Sequence, residues 1–137
     1  MEILVIDGQG GGLGRQLVAA LRKAMPGAEL MAVGTNSAAT EAMRKAGASR
    51  AATGENAVAV ACRRADVIVG PLGIVMADAL LGEITPAMAL AVARSRARRV
   101  LVPTNRCDTL VVGVAAGSMT ALVQQAVDEV QAVCAGR

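Results

Sequence analysis

The chain has 137 residues, 54% hydrophobic and 18% charged, with a net charge of +3. One globular domain over residues 1–137 is expected, neither a disordered chain nor two domains. It contains no His, Phe, Tyr or Trp, which excludes His catalysis, His–metal ligation and nucleic-acid binding by aromatic stacking.

The apolar run Ile3 to Ile6 within residues 2–7 reads as a first strand. Glycines at 8, 10, 11, 12 and 14 follow, and residues 13–25 carry helical spacing. A strand, a glycine loop and a helix N-terminus suit an anion, because unpaired backbone N–H groups and the positive helix end point at one spot. Pro26-Gly27 stops the helix. Residues 29–33 are a second strand, and a polar turn, 34–37, leads into a second helix over 38–45. Residues 49–52 form a short third strand, followed by the turn 53–56 and a helix to about residue 65. Residues 66–70 read as a buried fourth strand.

Pro71-Leu-Gly73 then turns into an expected apolar helix over 74–81. Thr85-Pro86 places Thr at a helix N-cap and Pro in its first turn, and that helix runs to about residue 96. Residues 99–103 form a fifth strand, 111–114 a short sixth, and 118–133 a final amphipathic helix.

Strands separated by single helices imply a parallel sheet covered on both faces. The fold class is α/β, one doubly wound Rossmann-like domain of about five strands in the order 3-2-1-4-5. Ligands in such sheets sit beyond the carboxyl ends of the strands, at the switch between strands one and four. The loops expected there are 7–14, 34–37, 53–56, 70–73 and 103–107.

The site residues named on this basis are Gly8, Gln9, Gly10, Gly11, Gly12, Leu13, Gly14 and Arg15 for the phosphates of a nucleotide. Thr35 and Asn36 are assigned to the ribose; Gly54, Asn56, Gly70, Pro71, Leu72, Gly73 and Asn105 line the rest of the cleft. The acid that usually ends strand two and holds a ribose hydroxyl is missing, since Val33-Gly-Thr-Asn36 stands there. The expected cofactor is therefore NADP or NAD, with NADP slightly favoured, and no metal.

Candidate acid/base groups are few. Asp7 ends strand one, where it touches the ligand or accepts N–H groups of the loop, and Glu55 opens the third helix. Glu83, ahead of a helix start, and Asp78 read as structural, and the basic run Arg94-Ser-Arg-Ala-Arg-Arg99 as a solvated helix end. Cys62 and Cys134 read as small apolar residues, and Cys107 lacks a neighbouring base.

The spacing Gly8-x-x-x-Gly12-x-Gly14 resembles the phosphate loop of short-chain dehydrogenases, with Asp7 where those enzymes carry Thr. Their catalytic Tyr-x-x-x-Lys has no counterpart here. The run Gln9-Gly-Gly-Gly-Leu-Gly-Arg15 is similar to the deviant phosphate loop of ParA-like ATPases, but Arg15 and Gln16 replace its Lys and its magnesium-binding Ser or Thr. The start Ile6-Asp-Gly-Gln-Gly-Gly-Gly-Leu-Gly14 stands with four further segments, Gly34-Thr-Asn-Ser-Ala-Ala-Thr40, Ala52-Thr-Gly-Glu-Asn56, Gly70-Pro-Leu-Gly-Ile-Val75 and Leu81-Gly-Glu-Ile-Thr-Pro86. Together they resemble a family of small bacterial proteins classed as a domain of unknown function. That resemblance implies a Rossmann-like domain of this length and no established activity.

The expectation is a nucleotide-binding module that senses a cofactor or acts with a partner. Two alternatives stand beside it: an enzyme on a small phosphorylated metabolite with Asp7 or Glu55 as acid/base, and a homo-oligomeric interaction module with residues 74–81 and 87–93 as its face. A homo-oligomer is expected in each case, with neither nucleic acid nor membrane as a partner. No apolar run reaches membrane length, no signal-peptide pattern opens the chain and three widely spaced cysteines suggest reduced thiols, so the expected location is cytoplasmic.

Overall fold

Strand β1 (Glu2–Asp7) is the centre of the molecule, and from Ile3 to Asp7 every residue is buried. A computed structural model describes residues 1–104, 108–114 and 117–136. β1 pairs in parallel with β2 (Glu29–Gly34) on one side and β4 (Val67–Pro71) on the other. β3 (Arg50–Thr53) lies outside β2, and β5 (Arg98–Val102) outside β4. The five strands are all parallel, in the order 3-2-1-4-5.

The side chains of β1 alternate between two cores, as the period of two requires. Ile3 and Val5 join a cluster with Leu17, Val18 and Leu21 of α1 (Gly12–Ala24), Met43 of α2 (Ser37–Ala46) and Val127 and Val130 of α5 (Met119–Cys134). Leu4 and Ile6 join the opposite cluster, with Val58 and Cys62 of α3 (Glu55–Arg64) and Met88 and Val92 of α4 (Pro86–Arg94). Reversal of the helix side between β1 and β4 opens the strand ends at that point.

Two expected elements are not formed. Residues 74–81 are not a helix: a 3₁₀ turn, Leu72–Val75, gives way to a loop that folds back on itself. Its N–H groups at Asp78 and Ile84 bond the carbonyls of Ile84 and Ala79, at 2.7 and 3.1 Å. Asp78, Leu80, Leu81 and Gly82 all take positive φ. Ile74, Ala79, Leu80 and Ile84 are buried by this path, so tertiary burial overrides the local helical tendency. Residues 111–114 form a turn and no strand; Val112 is 99% exposed and pairs with no strand among the described residues.

Candidate functional site

The loop between β1 and α1 is held from below by Asp7. Its Oδ2 accepts the N–H of Gly14 at 2.6 Å, inside the first turn of α1. Burial pushes the Asp7 carboxyl above the usual range; the N–H groups of Gly14 and Gly8 oppose that rise, and the charge of Glu83 adds to it. Above Asp7 the chain turns tightly, with the Gly11 N–H bonded to the Gly8 carbonyl at 2.9 Å. Gly11 caps α1 at φ 72 and, as a glycine, offers no side chain of its own to cap it, so the Asp7 carboxylate is the side chain that bonds the helix's first turn.

The five glycines divide into two kinds. A Cβ on Gly8, Gly11 or Gly14 would meet Thr35 Oγ1 at 2.5 Å, the Ala39 Cα at 2.8 Å or Met43 Sδ at 2.6 Å. Those three are glycine because neighbouring elements press against them. A Cβ on Gly10 or Gly12 would meet nothing within 4 Å. These two face a cleft of about 190 Å³, lined by residues 7–13, Thr104 after β5 and Met119 at the start of α5.

The cleft has donors to spare. Among the described residues, the N–H groups of Gly10, Gly12 and Leu13 have no acceptor. The Thr104 hydroxyl is buried without a hydrogen-bond partner among the described residues. A buried polar atom left unpaired is rare enough to require a reason.

A second cluster lies beside the loop. Oε1 of Glu83, from the folded-back segment after β4, accepts three hydrogen bonds. They come from the Gln9 N–H at 2.8 Å, Thr35 Oγ1 at 2.5 Å and Asn36 Nδ2 at 2.8 Å. Burial would raise the Glu83 carboxyl, but the bonds from Thr35, Gln9 and Asn36 together bring it below the usual range. Asn36 also donates to the Gln9 carbonyl and caps α2 by accepting the Ala39 N–H at 2.9 Å.

Thr35 and Asn36 thus stand at the end of β2, but Glu83 and the α2 cap engage their polar atoms, so the ribose role expected of them has little free hydrogen-bonding capacity. Arg15 is exposed on α1 and does not line the cleft. Gly54 caps α3, and Asn56 is exposed in its first turn. Glu55 accepts the hydroxyl of Thr85, the α4 cap, at 2.6 Å, away from the glycine loop. Gly70 lies where a Cβ would strike the Ile6 carbonyl at 2.5 Å. Pro71 ends β4, and Leu72 and Gly73 lie in the 3₁₀ turn, none of them lining the cleft. Asn105 lies outside the described residues.

Thr104, which falls in the expected strand-end loop 103–107, and Met119 line the cleft without being named as site residues in the sequence reading, and Glu83, read there as structural, borders it through Gln9. A carboxylate in a glycine-containing loop that returns to the strand ends is the only signal Glu83 offered. Among the described residues no group of three or more Asp, Glu or Cys is placed to hold a metal ion. No helix among them is long and apolar enough to cross a membrane.

The fold is that of a doubly wound α/β protein, with a cleft beside the glycine loop at the carboxyl end of β1. The chain belongs to a family described as a domain of unknown function (DUF3842), whose model matches residues 2–135. No curated protein matches it significantly. Among solved structures it is similar to a dodecameric FMN-dependent UbiX-like decarboxylase from Escherichia coli O157:H7. That match has 18% identity and a TM-score of 0.47, over 98% of this chain and 94% of the other.

Proposed function

We propose that the cleft at the glycine loop binds the phosphate of a small molecule, most simply a nucleotide. The carrying observation is the set of unspent donors around two uncrowded glycines. Gly10, Gly12 and Leu13 offer N–H groups, and Thr104 lines the same cleft with its hydroxyl buried behind the surface. Absence of a Cβ at Gly10 and Gly12 lets a phosphate approach the backbone, and the α1 dipole favours negative charge there. Asp7 lines the floor, bonded to Gly14, and serves to hold the loop. NADP and NAD are the first ligands to try, although the commitment of Thr35 and Asn36 to Glu83 supports the phosphate more than the rest of a dinucleotide.

The test is the absorbance of freshly purified, nuclease-treated protein, followed by titration with NAD, NADP and ADP. With no Trp, Tyr or Phe in the chain, a nucleotide band stands out directly. A Cβ at Gly12 meets nothing within 4 Å, and Gly12→Asp brings a negative charge to the phosphate position, so it is expected to abolish binding in a folded protein. Equal affinity in that variant would overturn the reading.

A second reading, homo-oligomerisation, is supported by apolar side chains left in solvent: Leu81 at 97%, Leu110 at 91% and Val112 at 99% exposure. Light scattering at high concentration tests it, and a monomer would remove it.

A further inference from the structure

Glu83 reaches across the ends of two strands that its own segment does not follow. Its carboxylate touches Gln9, just past β1, and Thr35 and Asn36, just past β2. In a doubly wound sheet, a ligand whose phosphate rests on α1 has its sugar beside the end of β2, where an acid accepts the sugar hydroxyls. The end of β2 carries no acid here. Glu83 brings one to that place from the loop between β4 and α4.

The two carboxylate oxygens are not equivalent. Oε1 accepts all three bonds, while among the described residues nothing donates to Oε2, and the side chain is partly exposed. One oxygen anchored and one free is the arrangement of a preorganised acceptor. The chain also accepts strain to hold it: Asp78, Leu80 and Leu81 sit at φ 69, 57 and 56, although Leu81 is 97% exposed and packs against little. Left-handed leucines in succession persist only where the surroundings impose them.

Resting on the phosphate reading, we infer that Glu83, which borders the cleft by accepting the Gln9 N–H and does not itself line it, is the specificity residue for the ligand held there. Its free oxygen accepts the ribose hydroxyls of the ligand, which is a ribonucleotide with its 2′-hydroxyl unmodified. A 2′-phosphate at that position would face a carboxylate held ionised by its hydrogen bonds. This reverses the slight preference for NADP drawn from the neutral Thr35 and Asn36.

The experiment is calorimetric titration of the full chain with pyrophosphate, ADP, 2′-deoxy-ADP and adenosine 2′,5′-bisphosphate, repeated on Glu83→Gln with circular dichroism as the fold control. The wild type is expected to bind ADP about tenfold more tightly than 2′-deoxy-ADP, the scale of one hydrogen bond to a charged acceptor. Adenosine 2′,5′-bisphosphate is expected to bind more weakly than ADP. In Glu83→Gln the preference for ADP over the deoxy compound should shrink markedly, and the bisphosphate should gain. Equal wild-type affinity for ADP and 2′-deoxy-ADP would overturn the assignment and leave the phosphate site standing, as would pyrophosphate binding without ADP binding. Binding of neither would overturn the phosphate reading itself. The wild-type ratio decides whether or not the variant folds.

Discussion

The Asp7 carboxylate lies 2.6 Å from the Gly14 N–H, and this one bond joins the end of β1 to the first turn of α1. It makes a buried acid part of the glycine loop's foundation. Asp7→Ala leaves the Gly14 donor without a partner and is expected to cost about 1–3 kcal/mol. Asp7→Asn keeps an acceptor and removes a buried charge. Because burial raises the folded-state value, the contribution of Asp7 is full below the unfolded carboxyl value and is lost as pH rises through the folded one. Urea melts of the two proteins from acid to neutral pH should therefore show Asp7→Asn gaining on the wild type as pH rises. A constant difference would show that Asp7 does not carry this dependence.

The two kinds of glycine separate stability from binding. Gly8→Ala and Gly14→Ala drive a methyl into Thr35 and Met43 and should destabilise by about 1–3 kcal/mol. Gly12→Ala places its methyl in open space at a helix start and should leave stability unchanged or raise it by up to about 1 kcal/mol. Nucleotide affinity should nevertheless fall in Gly12→Ala. Chemical melts followed by circular dichroism, with ligand titration, read both quantities. A loss of stability in Gly12→Ala equal to that in Gly14→Ala would refute the division.

The alternation of strands and helices was legible because each strand is a buried apolar run and each crossover carries its own start and stop. Thr85 caps its helix as the sequence suggests, bonding the N–H of Met88, whereas Asn36, read as a ribose contact, caps α2 through the N–H of Ala39. The path of residues 76–85 was not legible, because burial of Ala79, Leu80 and Ile84 against distant elements decides it. For the same reason Glu83 read as a helix-flanking acid, 48 residues from the Thr35 that it meets. Sequence also could not sort five glycines into three that are crowded and two that are open. That division depends on Ala39, Met43 and Thr35, which come from other elements.

Cys62 lies buried between α3 and α4, and burial pushes its thiol up to about 11. The thiolate is the reactive form, so near-neutral pH leaves it almost absent. Cys62 is expected to resist thiol reagents in the folded protein and to react on unfolding. Mass spectrometry of protein labelled at pH 8, with and without urea, reads this site separately from Cys134. Rapid native labelling of Cys62 would show that the α3–α4 contact opens readily.

Glu83 ties three loops together, and its removal should be felt in all of them. Glu83→Ala strands the Gln9 N–H, the Thr35 hydroxyl and one Asn36 amide proton. These groups are partly exposed or exposed, so water replaces part of what is lost, and the expected cost is about 1–2 kcal/mol. The pH dependence runs opposite to that of Asp7. The folded-state value of Glu83 lies below its unfolded one, so its contribution is present above the unfolded value and disappears as pH falls through the folded one. The stability gap between wild type and Glu83→Ala should narrow as pH falls through the acid range. Hydrogen exchange should show faster exchange at residues 78–84 in the variant, where the left-handed turn has lost its anchor. Unchanged exchange there would mean that burial of Leu80 and Ile84 alone holds the segment, with Glu83 contributing nothing to its position.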